Sequence, residues 1–297
     1  MSMQGILLSG GVGSRLAPIT LGTSKQLLPV YDKPLVYYPL CTLLLSNVKD
    51  IVVIVNPGDQ EAYKRLLRDG SQWGVSIRII TQEKPTGIPD AFKVAKNYLN
   101  TTKPCVLALG DNLLYGRGAG QDLFTDLNPD ETSIFGYEVQ NAFEFGVAEL
   151  DINNDILNIV EKPIGQTLGL AIPGFYHFPS DIYDLVETLP VSLRGEKEIV
   201  DVLNIYRKLK RIRIQVLPRG VTWLDTGTPD GLLGASNFVS TIQNRQGFLV
   251  GSPEEVSWRM GYITNSEFEF LVNNLPHSDY RKALVKLTET SQFEKNS

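Results

Sequence analysis

The sequence predicts an α/β protein with a mainly parallel central sheet, helices on both faces of that sheet and a helical C-terminal appendage. Short apolar runs typical of buried strands alternate with longer amphipathic segments, and proline or glycine lies near several of the boundaries. Because parallel strands need a crossover between them, this alternation favours a parallel sheet. From about residue 246 onward only helical patterns follow.

Each predicted strand is an apolar run, as in IVVIV at 51–55 and CVLALG at 105–110. In chain order the predicted strands are 4–8, 51–55, 75–81, 105–110, 133–139, 145–150, 156–160, 172–178 and 212–217.

Amphipathic segments such as GDQEAYKRLLRD at 58–69 predict helices between these strands. The predicted helices are 34–46, 58–69, 89–99, 180–188, 196–209 and 228–244, followed by 253–260, 266–273 and 278–290 in the appendage. We therefore expect one α/β domain at 1–245 and a helical appendage at 246–297 packed on it.

Composition and charge exclude several classes of function. A chain of 297 residues with 42% apolar residues can bury a large core. Its net charge of −5 argues against nucleic acid or a membrane surface as the main partner. No segment reaches the roughly 18 continuous apolar residues of a membrane span, and the N-terminus lacks a signal-peptide pattern. Cys41 and Cys105 lie in apolar stretches without CxxC spacing, so we expect buried thiols and a cytoplasmic protein.

The scarcity of histidine narrows the possible chemistry. Of the two histidines, His177 lies in an apolar run and His277 in a polar turn, and both are expected to be structural. A metal would therefore rest on carboxylate and phosphate oxygens, for which Mg²⁺ is the expected ion. Serine–histidine or cysteine–histidine catalysis is not expected.

A glycine-rich loop follows the first predicted strand. Gly10, Gly11 and Gly13 can adopt positive φ and have no Cβ, so successive backbone N–H groups can point at a polyanion. Arg15 and Lys25 supply positive charge. The pattern predicts a phosphate-binding loop, and a tight turn without a ligand is the alternative.

Two familiar glycine motifs do not match this loop. A P-loop needs a Gly–Lys step followed by Ser or Thr, and none is present. A dinucleotide-binding loop needs a third glycine where Leu16 stands, and its acidic residue could only be Asp32, within the turn YDKP.

Charged residues follow three apolar runs, at the ends where open α/β sheets bind ligands. Asp111 follows CVLALG, Asp225 follows VTWL, and the pair Glu161–Lys162 follows LNIV. Each alone is also typical of a turn or cap. Together with the glycine loop they indicate attack of one phosphate on another, with Mg²⁺ held by the two aspartates and pyrophosphate leaving. A phosphate monoester, with a second pKa of about 6, is already ionised and needs no general base.

Longer motifs carry a resemblance to a known family. The chain resembles the sugar-1-phosphate nucleotidyltransferases in GGVGSRLAPITLGTSKQLLPV at 10–30, GDN at 110–112, EKP at 161–163 and WLDTGT at 223–228. Within that family it is similar to the thymidylyltransferases acting on glucose-1-phosphate, through KQLLPVYDKPLVYYPL at 25–40, DGSQWG at 69–74, RGEKEI at 194–199 and ASNFVSTIQNRQG at 235–247. The resemblance runs from about residue 3 to 290.

The resemblance implies a Rossmann-like three-layer fold with a mixed, mostly parallel central sheet. It also implies transfer of a thymidylyl group from dTTP to glucose-1-phosphate, giving dTDP-glucose and pyrophosphate. The oxygen of the sugar phosphate would attack the α-phosphorus in line.

The same resemblance assigns roles to individual residues. Asp111 and Asp225 would hold Mg²⁺, and Lys25 would steady the phosphates during transfer. Residues implied to bind the nucleotide are Gly10, Gly11, Gly13 and Arg15 for the triphosphate, and Gln26, Gln82 and Gly87 for the base. Residues implied to bind the sugar phosphate are Gly146, Glu161, Lys162 and Arg194.

A second site is implied at a subunit interface, where a dTDP-sugar would act as feedback inhibitor. Its implied residues are Tyr115, Gly116, Arg219, Glu255 and Arg259, although Arg117 stands where His is frequent. The resemblance also implies a homotetramer.

Three departures from the family pattern lie near the implied pockets: Phe145 in place of an aromatic residue with a hydroxyl, Pro89–Asp90 beside Gly87, and Pro173 in place of Thr. They leave open a uridylyltransferase, or a thymidylyltransferase acting on an amino or deoxy hexose-1-phosphate. A nucleotide-sugar sensor without catalysis is a further alternative. Such a sensor would be expected to lose a metal-binding aspartate or Lys162, which this chain keeps.

Overall fold

The computed structural model of the protein describes residues 3–11, 13–84, 86–117, 119–120, 123–125, 127–192 and 195–295, with the backbone alone for 289–295. Its strands are β1 Met3–Ser9, β2 Pro29–Val30, β3 Lys33–Pro34, β4 Val48–Val55, β5 Ser76–Thr81, β6 Cys105–Leu109, β7 Asn112–Tyr115, β8 Thr132–Val139, β9 Gly146–Leu150, β10 Ile156–Glu161, β11 Gly169–Ala171, β12 Phe175–Phe178, β13 Ile212–Val216 and β14 Thr222–Asp225. Its α-helices are α1 Tyr37–Leu45, α2 Gln60–Leu67, α3 Asp90–Ala95, α4 Ile182–Leu185, α5 Ile199–Lys208, α6 Pro229–Gln246, α7 Pro253–Arg259, α8 Asn265–Asn273 and α9 Asp279–Lys295.

Each predicted strand and helix has a counterpart, with ends shifted by a few residues. The predicted strand 172–178 is shorter than expected, because β12 begins only at Phe175. The strands β2, β3, β7, β11 and β14 were not predicted. These are segments of two to four residues, too short to show a periodic pattern.

The main sheet has a parallel centre. Among the described residues, ten strands form this sheet, in the order β10-β9-β11-β8-β12-β6-β1-β4-β5 with β13 beside β8. In β1, Ile6 lies between Val52 of β4 and Leu107 of β6, and both pairings are parallel. Antiparallel pairings make β12, β11 and β10 run opposite to the rest. The predicted mixed, mostly parallel sheet is confirmed.

Alternate side chains of the central strands build two separate cores. In β4, Val52 and Ile54 pack in a cluster with α3, α4 and α5, whereas Val53 and Val55 pack in a cluster with α1 and α2. All four side chains are fully buried. Burying a valine or isoleucine side chain contributes about 1.5–3 kcal/mol each, so the two faces stabilise a three-layer arrangement.

The strands β7 and β14 form a separate antiparallel ribbon beside the carboxyl end of β6. Its register places Asp225 opposite Asn112, the residue after Asp111. This short ribbon therefore joins two parts of the chain that carry predicted site residues.

The C-terminal helices pack on the α/β body. Gly247, with φ +74°, caps α6, and α7–α9 share a small core that includes Phe268, Val272 and Leu284. Val250 packs with Tyr38 of α1, which ties the appendage to the body. The division into 1–245 and 246–297 stays a prediction.

Other expectations from composition can be compared with the structure. Cys41 and Cys105 are buried free thiols, and His177 is buried with Nδ1 3.1 Å from the Glu131 carbonyl oxygen. Burial lowers the pKa of His177 to about 4. Within the described residues, no helix combines the length and apolar character of a membrane-spanning segment.

Candidate active site

The glycine loop leaves the carboxyl end of β1 and is shaped by a side chain from the neighbouring strand. Gly11 has φ +109° and Gly13 φ +60°, conformations that favour glycine. The Gly11 N–H donates to Oδ1 of Asn56 at 3.0 Å, and Nδ2 of Asn56 donates to the Gly11 carbonyl at 3.1 Å. Asn56 directly follows β4, so the parallel pairing of β1 and β4 places this brace.

A cavity of about 260 Å³ opens beside the loop. It is lined by Gly10, Gly11, Gly13, Ser14, Arg15, Lys25, Gln26, Asp111 and Gly227. The structure thus brings together the predicted triphosphate residues, Lys25 and one of the two predicted metal ligands. Gly13 is held further by Thr20, whose hydroxyl donates to the Gly13 carbonyl at 2.9 Å.

Asp111 and Asp225 converge because the β7–β14 ribbon pairs Asp225 with Asn112, the residue after Asp111. The hydroxyl of Thr226 donates to the Asp111 carbonyl at 2.9 Å, and the Gly227 N–H donates to Oδ1 of Asp225 at 3.2 Å. A Cβ at position 227 would lie 2.8 Å from Nη2 of Arg15 and 3.0 Å from Oδ2 of Asp225. Glycine at this position therefore lets the guanidinium approach the carboxylate.

Positive and negative side chains lie close together around Asp111 and Asp225. Nζ of Lys25 lies 2.5 Å from Oδ2 of Asp111. Burial and repulsion by Asp111 raise the pKa of Asp225, while Lys25 and Arg15 lower it. Added positive charge between the two carboxylates would offset this repulsion.

The carboxylate pair fits a hard divalent cation by its oxygen donors and by the repulsion between its two negative charges. Across the described part of the chain, no group of three or more His, Cys, Asp or Glu side chains is placed to hold a metal. A cation bound to Asp111 and Asp225 would therefore complete its coordination with phosphate oxygens and water.

A second cavity, of about 170 Å³, shares Arg15 and Asp111 with the first and is also lined by Asp225. Much of its wall is apolar, formed by Ile88, Ile172, Ile199, Val200, Leu203 and Trp223. The ring of Phe145 packs 4.9 Å from that of Trp223. Trp223 Nε1 donates to Oδ1 of Asn112 at 2.7 Å, so its indole N–H is already used.

Glu161 and Gly146 face each other in the β9–β10 pairing and line this second cavity. A Cβ at position 146 would lie 3.4 Å from Oε2 of Glu161. Lys162 has φ +47°, and its N–H donates to the Phe145 carbonyl at 2.9 Å. Its Nζ lies 3.6 Å from Oε1 of Glu161, and its side chain is 49% exposed. Arg194 lies outside the described residues.

Two glutamines predicted to read a base carry buried polar atoms without a hydrogen-bond partner among the described residues, Oε1 of Gln26 and Nε2 of Gln82. Gln26 is anchored through Nε2, which donates to the Gly10 carbonyl at 3.3 Å, and Gln82 follows the end of β5. Gly87 has φ +112° but lines neither of the two cavities. Its neighbour Ile88 lines the second one.

The residues predicted for a second site are brought only partly together. Tyr115, Gly116, Glu255 and Arg259 line a cavity of about 560 Å³. Arg219 lines a neighbouring cavity instead, although the adjacent Gly220 packs against Gly116, where a Cβ would lie 2.5 Å from the Gly220 carbonyl oxygen. Nε of Arg259 donates to Oε1 of Glu255 at 2.7 Å.

Three residues that shape the site were not predicted from the sequence: Asn56, Asn112 and Gly227. Asn112 donates from Nδ2 to Oδ1 of Asp111 at 2.8 Å and accepts the Gly174 N–H at 3.1 Å. Asn56 carried a usable signal, because a polar residue directly after an apolar run marks a strand end.

Comparison with known proteins places this geometry in context. Residues 4–242 match the family described as nucleotidyl transferase. The chain is 44% identical over 287 residues to a glucose-1-phosphate thymidylyltransferase of Mycolicibacterium smegmatis, covering 97% of this chain and 99% of that relative. It is 41% identical to the protein of that name from Xanthomonas campestris, covering 96% and 97%.

Solved structures share the architecture. A candidate glucose-1-phosphate thymidylyltransferase from Bacillus anthracis, crystallised with sucrose, is 31% identical with a TM-score of 0.72, covering 80% of this chain and 94% of that one. A UDP-glucose pyrophosphorylase in complex with UDP-glucose has a TM-score of 0.70 at 21% identity, covering 81% and 99%. This second likeness shows the fold alone.

Proposed function

This chain belongs to the nucleotidyl transferase family, and from that premise we propose that it transfers a thymidylyl group from dTTP to glucose-1-phosphate, releasing pyrophosphate. The observation that carries the proposal is the meeting of two cavities at Arg15 and Asp111, with Asp225 beside them in the wall of the second. One of these cavities has the cationic, glycine-rich lining that suits a triphosphate. The other has the compact, partly apolar lining that suits a sugar.

In the proposed reaction the triphosphate occupies the glycine-loop cavity. Backbone N–H groups of the loop and the side chains of Arg15 and Lys25 offset its negative charge. Lys25 suits this role because it lines the glycine-loop cavity and its ammonium group pairs with Asp111, which lines both cavities.

The sugar phosphate occupies the second cavity, with Glu161 and Gly146 at its hydroxyls and Lys162 and Arg194 at its phosphate. Its oxygen attacks the α-phosphorus in line, and the pyrophosphate departs on the side of the glycine loop. Since a phosphate monoester is ionised near neutral pH, the reaction needs no histidine. Positioning and charge neutralisation supply the catalysis.

Members of this family generally depend on a divalent metal ion. We propose Mg²⁺, held by Asp111 and Asp225, because these carboxylates present hard oxygen donors and repel each other. When bound, the ion supplies positive charge to the phosphates and a fixed geometry for transfer.

Gln26 and Gln82 are proposed to read the base, because each has a buried amide atom left without a partner in the described residues. Thymine offers both hydrogen-bond donors and acceptors for such atoms. Gly87 is proposed to contact the base through its backbone, since its φ of +112° turns the chain sharply there.

The test is pyrophosphate release with Mg²⁺ and glucose-1-phosphate, comparing dTTP with UTP and repeating the assay without metal. Metal-dependent release that favours dTTP is the expected result. Release only with another hexose-1-phosphate, or equally with UTP, would keep the chemistry and refute the specificity, directing attention to Phe145 and Asp90. No release with any pair would refute the function.

Lys162 offers a sharper test of the sugar-phosphate clamp. Lys162→Ala is expected to abolish turnover while leaving thermal unfolding unchanged, because the side chain is half exposed and outside both cores. Lys208→Ala, on the exposed end of α5, is the matched control. Near-normal rates in Lys162→Ala would contradict the assignment.

The resemblance also supports feedback inhibition by a dTDP-sugar and a homotetramer as proposals. The cavity lined by Tyr115, Gly116, Glu255 and Arg259 is the proposed second site. Inhibition assays with a dTDP-deoxysugar test the first proposal, and absence of inhibition would contradict it. Light scattering tests the second, and a monomer would contradict it.

A further inference from the structure

Two segments that are distant in sequence contribute apolar side chains to the wall of the second cavity. Ile88 comes from the loop before α3, and Ile199 and Val200 come from the first turn of α5. The loops that precede α3 and α5 meet next to these residues, where the Lys197 N–H donates to the Thr86 carbonyl at 2.9 Å. The width of the cavity therefore depends on how these two loops are held against each other.

Their contact is tight at Gly87. A Cβ at this position would lie 2.1 Å from the Lys197 carbonyl oxygen and 2.8 Å from the Lys197 nitrogen. The two backbones approach so closely here that only a residue without a Cβ fits between them.

One ion pair spans the junction. Nζ of Lys197 lies 3.3 Å from Oδ1 of Asp90, the first residue of α3, and the two side chains are only 12% and 14% exposed. The same ammonium donates to the Val186 carbonyl at 2.7 Å, just after α4. Among the described residues, Asp90 Oδ1 makes no hydrogen bond, so this ammonium is the charge that balances it.

Burial makes this pair different from its neighbours. Lys93 and Glu187 also join α3 to the segment after α4, at 3.4 Å, but their side chains are 55% and 40% exposed. Exposed ion pairs contribute about 0–1 kcal/mol to stability. Breaking a buried pair costs more, because it leaves an unbalanced charge in the protein interior, where water does not stabilise it. Loss of one partner of the Asp90–Lys197 pair is therefore expected to disturb this junction more than loss of the exposed pair would.

We propose that the Asp90–Lys197 pair is a positioning element for the sugar phosphate: it sets the separation of Ile88 from Ile199 and Val200, and so the width of the second cavity. The inference rests on the proposed function for its substrate. It needs no contact between the pair and the substrate, because a displacement of about 1 Å in a substrate-holding wall costs up to about a hundredfold in rate.

The experiment compares Asp90→Asn, Lys197→Met, the double variant Asp90→Asn/Lys197→Met, and the control Lys93→Met/Glu187→Gln. It measures KM and kcat for glucose-1-phosphate and for dTTP, thermal unfolding, and hydrogen exchange of the Lys197 amide. Each single variant is expected to lower kcat/KM for glucose-1-phosphate by about tenfold to a hundredfold, mainly through KM. Its Lys197 amide is expected to exchange faster.

The double variant separates positioning from stability. Without an unbalanced buried charge, its unfolding temperature is expected to return toward that of the wild type. The raised KM for glucose-1-phosphate is expected to remain, because the ion pair no longer joins the two loops. The control variant is expected to match the wild type in every measurement.

Recovery of both the unfolding temperature and KM in the double variant would overturn the proposal, as would single variants with a changed unfolding temperature alone. If the wild type releases no pyrophosphate, the proposed function fails instead. In that case, hydrogen exchange of the Lys197 amide still tests whether the ion pair holds the two loops together. Equal exchange rates in Asp90→Asn and the wild type would overturn the proposal.

Discussion

Asp225 is a buried carboxyl group beside a second carboxylate, and this placement is unfavourable for its charged form. Burial and the nearby Asp111 raise its pKa, so the folded chain favours its protonated form. A raised pKa gives stability that is fully present below the unfolded value of about 3.9 and is lost as pH rises through the folded value. Near neutral pH the charged Asp225 is therefore a liability in the metal-free protein.

Asp225→Asn is accordingly expected to unfold at a higher temperature than the wild type at pH 7 in the absence of divalent metal. This advantage should be smaller at pH 4 than at pH 7, because a lower pH favours the protonated carboxyl that burial and Asp111 already favour. Turnover should fall by about a hundredfold to a thousandfold. Thermal unfolding at the two pH values checks the first expectation, and an equal difference at both would contradict it.

Removal of the positive charge of Lys25 tests its proposed role at the phosphates. Lys25→Ala is expected to lower kcat by about a hundredfold to a thousandfold, equivalent to about 2.7–4 kcal/mol, by analogy with a lost oxyanion donor. It should also raise the pKa of Asp225 further, because the ammonium opposes that shift in the wild type. Lys64→Ala, which removes an exposed α2 ion pair, is the control. Steady-state kinetics measure both variants, and equal rates would contradict the role.

At the scale of elements, the loop before α3 depends on a glycine for close approach. Gly87→Ala places a Cβ 2.1 Å from the Lys197 carbonyl oxygen, so the loops must separate. Gly165→Ala is a matched control, because Gly165 has φ +76° and nothing lies within 4 Å of its would-be Cβ. Both variants carry the backbone cost of about 1–2 kcal/mol.

Only Gly87→Ala is expected to lose more stability than this and to raise KM for glucose-1-phosphate. Urea unfolding and steady-state kinetics on both variants check the difference. Equal losses in the two variants would show that the close contact does not matter.

A buried polar cluster holds α9 against the start of α7 within the appendage. The hydroxyl of Tyr280 in α9 lies 2.8 Å from Oγ of Ser252 and also contacts the carboxylate of Glu254, which is 3% exposed. Nearby, Lys33 is held by Asp32, and desolvation lowers the pKa of Lys33.

Tyr280→Phe removes one hydroxyl and leaves Glu254 short of a partner, which is expected to cost about 1–3 kcal/mol in the free energy of unfolding. Tyr98→Phe, where the ring is 46% exposed, should change little. Urea unfolding measures both variants, and an unchanged Tyr280→Phe would show that water replaces the hydroxyl.

At the scale of the whole molecule, the appendage completes a shared core. Val250 packs with Tyr38, Ala235 and Val239, so removal of 249–297 uncovers apolar surface on α1 and α6. The truncated chain is expected to lose its cooperative thermal transition or to become insoluble. Circular dichroism melting of a chain ending at residue 248 checks this, and a transition at the wild-type temperature would contradict it.

The parts of the site that were predictable are local in sequence. The glycine loop with Arg15 and Lys25 lies within one short segment, and Asp111 directly follows a recognisable strand. Asn56 on Gly11 and Asn112 on Trp223 were not predictable, because each pairing depends on strand register rather than on spacing. Lys197 was not predicted as a partner of Asp90, because the two residues are far apart in sequence and meet only in the folded chain.

The sequence by itself determined the order of the longer strands and of the helices, the positions of the glycine loop and of the charged residues at strand ends, and the scarcity of histidine, because hydrophobic period and residue chemistry are local properties. The tertiary structure decided which charges meet. Thr226 reaches back 115 residues to Asp111 through the β7–β14 ribbon, and Lys197 balances Asp90 across two loops. Such contacts are set by the register of the sheet and the packing of helices on it, which only the complete fold defines.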